Sequence, residues 1–392
     1  MRKITLALMV RAAAFVQNTA FAISVLLTLN IFLFLPYNYS FGMNDNTEDI
    51  TKYTIKQKSN SIGNPSPFFN NLPDEIIKNI LSLLDSFDLI CALSVSRKLE
   101  YLAKNKKDPL ILAYINIGIE GAKSFSKFNC PMLKVLILRF NKIGAEGAKS
   151  LSEATFPMLT TLDLQLNKIR GEGLKSLSKA NFPMLKILNL HENNIRDEGV
   201  MSLSEANFHM LTTLHLGSNH IGDEGLKSLS EGNFPMLKVL NLGYNKIGAE
   251  GAKSLSEANF HMLTTLHLGS NSIRDEGLRC LSEANFPMLK ILNLGYNKIG
   301  DKGVKGLSEA NFPVLITLDL QWNEIGAEGA QVLSTGKLTN LTLLDLNGNH
   351  IGDDGVSALS KANFLMLTTL NLRKNNIGRK IFQNNDRLKV LF

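Results

Sequence analysis

The chain has 392 residues and a formal net charge of +7, from 42 lysines and arginines against 35 acids. Three cysteines cannot make a disulfide framework, and the basic excess is spread out, which argues against a nucleic-acid partner. An apolar content of 44% is that of an ordinary folded protein and excludes a wholly disordered chain.

The N-terminus carries Arg2, Lys3 and Arg11, then 24 uncharged residues, Ala12 to Leu35, mostly apolar from Ala20 onward. This run is long for a signal-peptide core and long enough to span a bilayer. Ser40-Phe41-Gly42 offers small residues where a signal peptidase cuts. Residues 1–42 therefore read either as a secretory signal cleaved near Gly42 or as an uncleaved anchor holding the membrane through residues 12–35. Translation from Met9 gives a more conventional signal. In each case the positive flank predicts that the rest of the chain is exported or membrane-anchored. Residues 43–67 are polar, rich in Asn, Ser, Thr and Lys, and read as a flexible linker.

Residues 68–108 are of another kind. Pro73 suits the first turn of a helix, with Asp74 and Glu75 near its positive end. Ile76, Ile77, Ile80, Leu81, Leu83 and Leu84 make that helix too apolar for one buried face. Asp85-Ser86-Phe87-Asp88 restarts a second helix with Leu89, Ile90, Ala92, Leu93 and Val95, and a third covers Leu99, Tyr101 and Leu102. A unit this small is marginal alone, and surplus apolar surface points to a partner.

The stretch resembles an F-box. Leu72-Pro73, Glu75, Ile80-Leu81-Ser82-Leu83-Leu84, Asp85, Asp88-Leu89 and Val95-Ser96-Arg97-Lys98 follow the family pattern; Leu99 stands where the family commonly has tryptophan. The resemblance implies that Leu72, Pro73, Ile77, Ile80, Leu81, Leu84, Leu89 and Val95 dock on the Skp-type adaptor of a cullin ubiquitin ligase. A helical cap for the array that follows is the competing reading, and the two are compatible.

From residue 109 to the end the chain repeats. Asparagine recurs at 141, 167, 193, 219, 245, 271, 297, 323, 349 and 375, always 26 apart. A fixed period without insertion means stacked coils. In Leu237 to Met262, Leu240 and Leu242 alternate with polar Asn241, the strand period, and should point inward with Leu237 and Ile247. Asn245 follows at the turn, where backbone groups need partners, and a ladder of such asparagines would tie coil to coil. The return half reads as a short helix. In the coil before, Asp223 is its N-cap or first-turn acid, and Leu226 and Leu229 share a face. The mid-helix glycine (Gly225 and its equivalents) costs about 1 kcal/mol against alanine. Its recurrence predicts close approach of helix to strand backbone.

Phenylalanines at 156, 182, 208, 234, 260, 286, 312 and 364 should fill the wedge behind the helices, with Cys130 in the same column and Cys280 as a second buried filler. Coils also alternate between TTLHLGSN and KVLNLGYN types, a 52-residue superperiod. The pattern resembles leucine-rich repeats of the ribonuclease-inhibitor-like class, over about Leu110 to Gly378. It implies an α/β solenoid, a horseshoe with a parallel sheet on its concave face and helices on its convex face. Leu110 to Met132 reads as a degenerate first coil. After Gly378 the pattern breaks into a C-terminal cap, unless Phe382, Leu388, Val390 and Leu391 complete a half coil.

Strand residues beside the paired leucines should face the inner curve. Phe140, Leu166, Tyr244, Tyr296 and Trp322 sit there, with Asp163, Asp319, Asp345, His191, His215 and His267. Exposed aromatics on a rigid sheet are the usual anchors of a protein interface, and Trp322 is the chain's one tryptophan. His215 and His267 lie two coils apart, roughly 10 Å at the usual strand spacing, too far to share one metal ion. No nucleophile–base pair, phosphate loop or metal-protease motif appears, so neither catalysis nor a cofactor is expected. The F-box resemblance implies an adaptor that joins an unknown target protein on the repeats to a ubiquitin ligase. Ligase machinery is cytosolic or nuclear while the N-terminus argues for export, so the chain also resembles F-box effectors of intracellular bacteria, acting in a host cytosol. The other reading is an exported or anchored surface protein whose repeats bind a receptor, as internalin-like proteins do.

Overall fold

A computed structural model describes residues 110–378 and 388–392, apart from 115, 127–129 and 311. The signal or anchor, the linker and the F-box-like segment, with Leu72, Pro73, Ile77, Ile80, Leu81, Leu84, Leu89 and Val95, lie outside the described residues. So do residues 12–35; no helix among the described residues is long and apolar enough to cross a membrane.

The described residues form one parallel sheet of twelve strands in sequence order, and from the first strand to the eleventh a return half with a helix joins each strand to the next. Register follows the repeat. Leu240 lies beside Leu214 on one side and Leu266 on the other, so every position stacks on its own equivalent. Inside the coil, Leu237, Leu240, Leu242 and Ile247 are fully buried, as the strand period requires. The phenylalanines from Phe156 to Phe312 are buried too, with Cys130 at the head of their column and Leu338 in the same place further on; Phe364, near the end, is half-buried. Neighbouring strands stack about 4.8 Å apart while packed helices need about 8–10 Å. The array therefore curves with its sheet inside.

The asparagine ladder is an internal hydrogen-bond chain. Asn219 Nδ2 donates to the carbonyls of Leu190, Leu216 and Gly217 at 2.9–3.0 Å. Its Oδ1 accepts from the backbone of Asn193 (2.9 Å) and Ile195 (3.3 Å). One amide thus satisfies turn groups of its own coil and of the coil before, groups that water cannot reach.

One expectation about the helices needs correction and another is narrowed. Gly225 is not pressed against a strand. A Cβ there would meet Asp197, the first turn of the preceding helix, and Ile221 of its own coil. At Gly277 the same probe lies 3.1 Å from Ala249 Cα and 2.7 Å from Ile273 Cγ2. The glycine column is where helix touches helix. Asp223, likewise, does not cap its own helix, Asp223–Ser230, whose N-cap is Gly222 with no side-chain bond, although it is a first-turn acid there. Its carboxylate accepts from the backbone N–H of Gly248, one coil on, at 2.6 Å.

That staple recurs from Asp197 to Gly222, Asp275 to Gly300, Asp301 to Gly326 and Asp353 to Gly378. It selects between two turn geometries. Stapled Gly248 is extended at φ −103°. Where the preceding coil offers Ala or Gly in place of Asp, the equivalent residue is left-handed even when it is arginine, as at Arg170 (φ 61°) and Arg274 (φ 56°). Those residues donate forward instead, Arg274 N–H to the Asn297 carbonyl at 3.0 Å.

The two ends of the array both pair into the sheet. Leu110–Ile111 pairs with the second strand, so the degenerate first coil is a true coil. Lys389–Leu391 pairs in parallel with Thr369–Asn371, so the C-terminal residues add a twelfth strand.

Candidate interaction surface

In every described coil the residue just before the ladder asparagine is left-handed. Phe140, Leu166, Tyr244, Tyr296 and Trp322 have φ between 52° and 60°. This conformation costs a non-glycine residue about 1 kcal/mol or more. It is held because the residue's N–H bonds the next coil, Tyr244 to the Gly269 carbonyl at 2.8 Å, while the following asparagine pins the turn. The result throws the side chain out over the inner face. Tyr244 is 68% exposed and Trp322 38%. Bulky rings therefore occupy a strained position and stay partly exposed there, Tyr244 most of all. Folding alone would favour glycine or asparagine.

The rings gather in two places. At one end Phe140 stacks on Tyr114, centroids 4.3 Å apart. Towards the other, Tyr296 stacks on Trp322 at 5.6 Å, with Lys374 Nζ 4.6 Å from the centre of the Trp322 ring. Gly348 makes room: a Cβ there would come within 2.7 Å of the indole. Tyr114, Gly348 and Lys374 were not foreseen. Their column position, one before the ladder asparagine or, for Tyr114, before Ile115 in its place, was the available signal. Tyr244 stands between the clusters, and Leu166 is half-buried.

A second column, two residues after each strand begins, holds polar groups. Asp163 was expected to be open and is sealed instead, 3% exposed. Arg139 pairs with it at 3.2 Å and the Gln165 N–H donates to it at 3.1 Å. Burial raises its pKa, opposed by the Gln165 bond and Arg139. Asp163 therefore belongs to the structure of the face and not to its free surface. Asp319 and Asp345 are half-buried and sit in neighbouring strands. Burial raises the Asp319 pKa, and Asp345 adds to the rise.

His215 and His267 share this column and are half-buried. His215 is held down to about 4 by burial, then by His267 and His191, so it is neutral at pH 7. Asparagines elsewhere in the column accept from the N–H two residues on, as Asn241 does from Gly243 at 3.0 Å. A histidine offers no such oxygen. Among the described residues no three histidine, cysteine or acid groups converge where they could hold a metal. A cleft on the turn edge, lined by residues including Arg196, Asp197, His220 and Lys246, contains a carboxylate already committed to Gly222.

The surface is thus a stiff sheet with an aromatic column and a polar column, suited to holding another protein. Comparison with known families matches residues 69–109 to the F-box domain. Ten segments between residues 129 and 380 match a leucine-rich repeat, together more than half of the chain. No curated protein matches in sequence. Among solved structures, a TDR receptor shares 21% identity over 72% of this chain and 46% of its own, with a TM-score of 0.41. An internalin from Listeria monocytogenes shares 22% over 73% of this chain and 85% of its own, with a TM-score of 0.37. The match thus spans about half the receptor's length.

Proposed function

Because the chain belongs to the leucine-rich-repeat proteins and carries an F-box domain, we propose that it is the substrate receptor of a Skp–cullin ubiquitin ligase. Both modules are interaction modules, and the ligase chemistry belongs to other subunits. The F-box residues Leu72, Pro73, Ile77, Ile80, Leu81, Leu84, Leu89 and Val95 face the Skp-type adaptor. The target protein lies along the inner face of the repeats, on Phe140, Leu166, Tyr244, Tyr296 and Trp322, with His215, His267, Asp319 and Asp345 beside them.

The observation that carries this reading is the order of the parts. The F-box match ends at residue 109, and the first strand of the array begins at Leu110. With the two matches adjacent in sequence, a captured target is tethered to the ligase, which raises its local concentration there.

The apolar run 12–35 behind Arg2, Lys3 and Arg11 favours export. Export and ligase work are reconciled if the chain is an effector released by an intracellular bacterium into its host. The same run supports the second reading, a surface-anchored protein whose repeats bind a receptor and whose helical segment is only a cap. A pull-down with purified Skp-type adaptor separates the two. Capture by the intact chain, lost in Leu72→Ala/Pro73→Ala with an unchanged circular-dichroism spectrum, supports the ligase reading. No capture by the intact chain supports the surface protein.

A further inference from the structure

The two ends of the inner face treat their carboxylates differently. At the N-terminal end Asp163 has a cation of its own, Arg139, at 3.2 Å. Towards the C-terminal end, Asp319 and Asp345 occupy the same column in adjacent strands and have none. Asp319 is met by neutral donors only: Asn293 Nδ2 at 2.8 Å, Gln321 N at 3.0 Å and Gln321 Nε2 at 3.1 Å. Asp345 likewise accepts from the Asn347 N–H and from Asn371 Nδ2. No ion pair among the described residues includes either acid. Like charges directly opposite one another in a sheet repel.

Beside this pair stand Tyr296 and Trp322. A Cβ on Gly295, the residue before Tyr296, would lie 3.5 Å from Asp319 Oδ1, which places the carboxylate beside the ring stack. The indole already carries a cation, Lys374, over its face. An aromatic face and a desolvated carboxylate together suit one ligand group, a planar cation that can stack and donate at once.

We propose that this end of the face takes an arginine side chain of the target protein, its guanidinium stacked on Trp322 in place of Lys374 and donating to Asp319 and Asp345. The arginine does for these two acids what Arg139 does for Asp163. The assignment names the target chemistry within the reading above, but it rests on the repeats alone and needs no ubiquitin ligase.

Trp322 is the only tryptophan, so its fluorescence reports this site in the full chain. The probe is acetyl-Gly-Arg-Gly-Arg-Gly-amide, with the citrulline analogue as its uncharged isostere. The arginine peptide should shift Trp322 emission saturably, and the citrulline peptide should bind at least about tenfold more weakly. Asp319→Asn/Asp345→Asn should weaken the arginine peptide by about tenfold, and Lys374→Ala should tighten it by a few fold, because the ring is freed of a competing like charge. Circular dichroism checks that each variant is folded, and Lys374→Ala, exposed and outside the core, keeps the test open if the aspartate pair is not. Equal response to both peptides, no saturable response, or weaker binding in Lys374→Ala would overturn the assignment. None of these outcomes bears on adaptor capture, which is measured separately.

Discussion

Within the single strand Thr213–His215 the two sides obey different rules. Leu214 points inward, is fully buried, and has leucine beside it in both neighbouring strands. His215 points outward and has Asn189 and Asn241 as neighbours. The inward columns are uniform because each residue packs on its own copy, and a change breaks contacts with two coils at once. The outward columns vary because their side chains do not pack on their own copies in the next coil, although Asp163 and Asn241 there still accept from backbone N–H groups. Where they carry bulky rings in a left-handed backbone, the side chain brings strain and stays partly exposed. Shape lives on one side of the strand and recognition on the other.

The sharpest break of that contrast is an inward polar change. Asn219→Ala removes five hydrogen bonds to backbone groups that lie inside the coil. Urea unfolding should show a loss of about 3–5 kcal/mol, or loss of cooperativity across the neighbouring coils.

Next in size is an outward change that behaves like an inward one. The His215 pKa is lowered to about 4 in the fold from an ordinary 6.5, chiefly by burial. The unfolded chain takes up that proton at a higher pH than the folded chain. Its contribution to stability is therefore fully present above about pH 6.5 and is lost as pH falls toward 4. His215→Asn removes the titration and supplies the oxygen that Asn241 gives Gly243. Relative to the parent it should gain on the order of 2 kcal/mol between about pH 7.5 and 4.5, read by denaturation at both.

A smaller effect tests the staple. Asp223→Ala should cost about 1–2 kcal/mol in thermal or urea unfolding. It should also move Gly248 to positive φ, with its N–H turned to the Asn271 carbonyl, as in the coils that lack the aspartate. Backbone chemical shifts or a crystal structure of the variant would report the flip, and an unchanged Gly248 would sink the two-state account of the turn. The smallest expected effect lies at the most exposed ring. Tyr244→Ser, which copies Ser218 and Ser270 of the adjacent coils, should leave stability within about 0.5 kcal/mol while depleting the target surface.

The same contrast explains what could be read from the residues in advance. Every inward feature was legible, because a period of 26 repeats its own evidence: the leucines, the asparagine ladder and the phenylalanine column all stand where the spacing put them. Asp223 is the first-turn acid that its position allows, but its bond to the next coil is not legible within one unit, and Gly225 meets a helix and not a strand. Their contacts run between coils 25 to 28 residues apart, and a single unit cannot display those. The staple was nonetheless visible as Asp in one coil followed by Gly in the next. The left-handed column escaped notice because Phe, Leu, Tyr and Trp are residues that ordinarily avoid it. By alternation Asp163 points outward and reads as open; only the reach of Arg139 from the coil before shows it closed.

One measurement bears most directly on the division of labour. Binding of purified Skp-type adaptor and of the arginine peptide should be measured on the intact chain and on the same two variants. The expected result is a crossed pattern. Leu72→Ala/Pro73→Ala loses the adaptor and keeps the peptide, while Asp319→Asn/Asp345→Asn loses the peptide and keeps the adaptor. An intact chain that leaves the adaptor in solution would contradict the adaptor function.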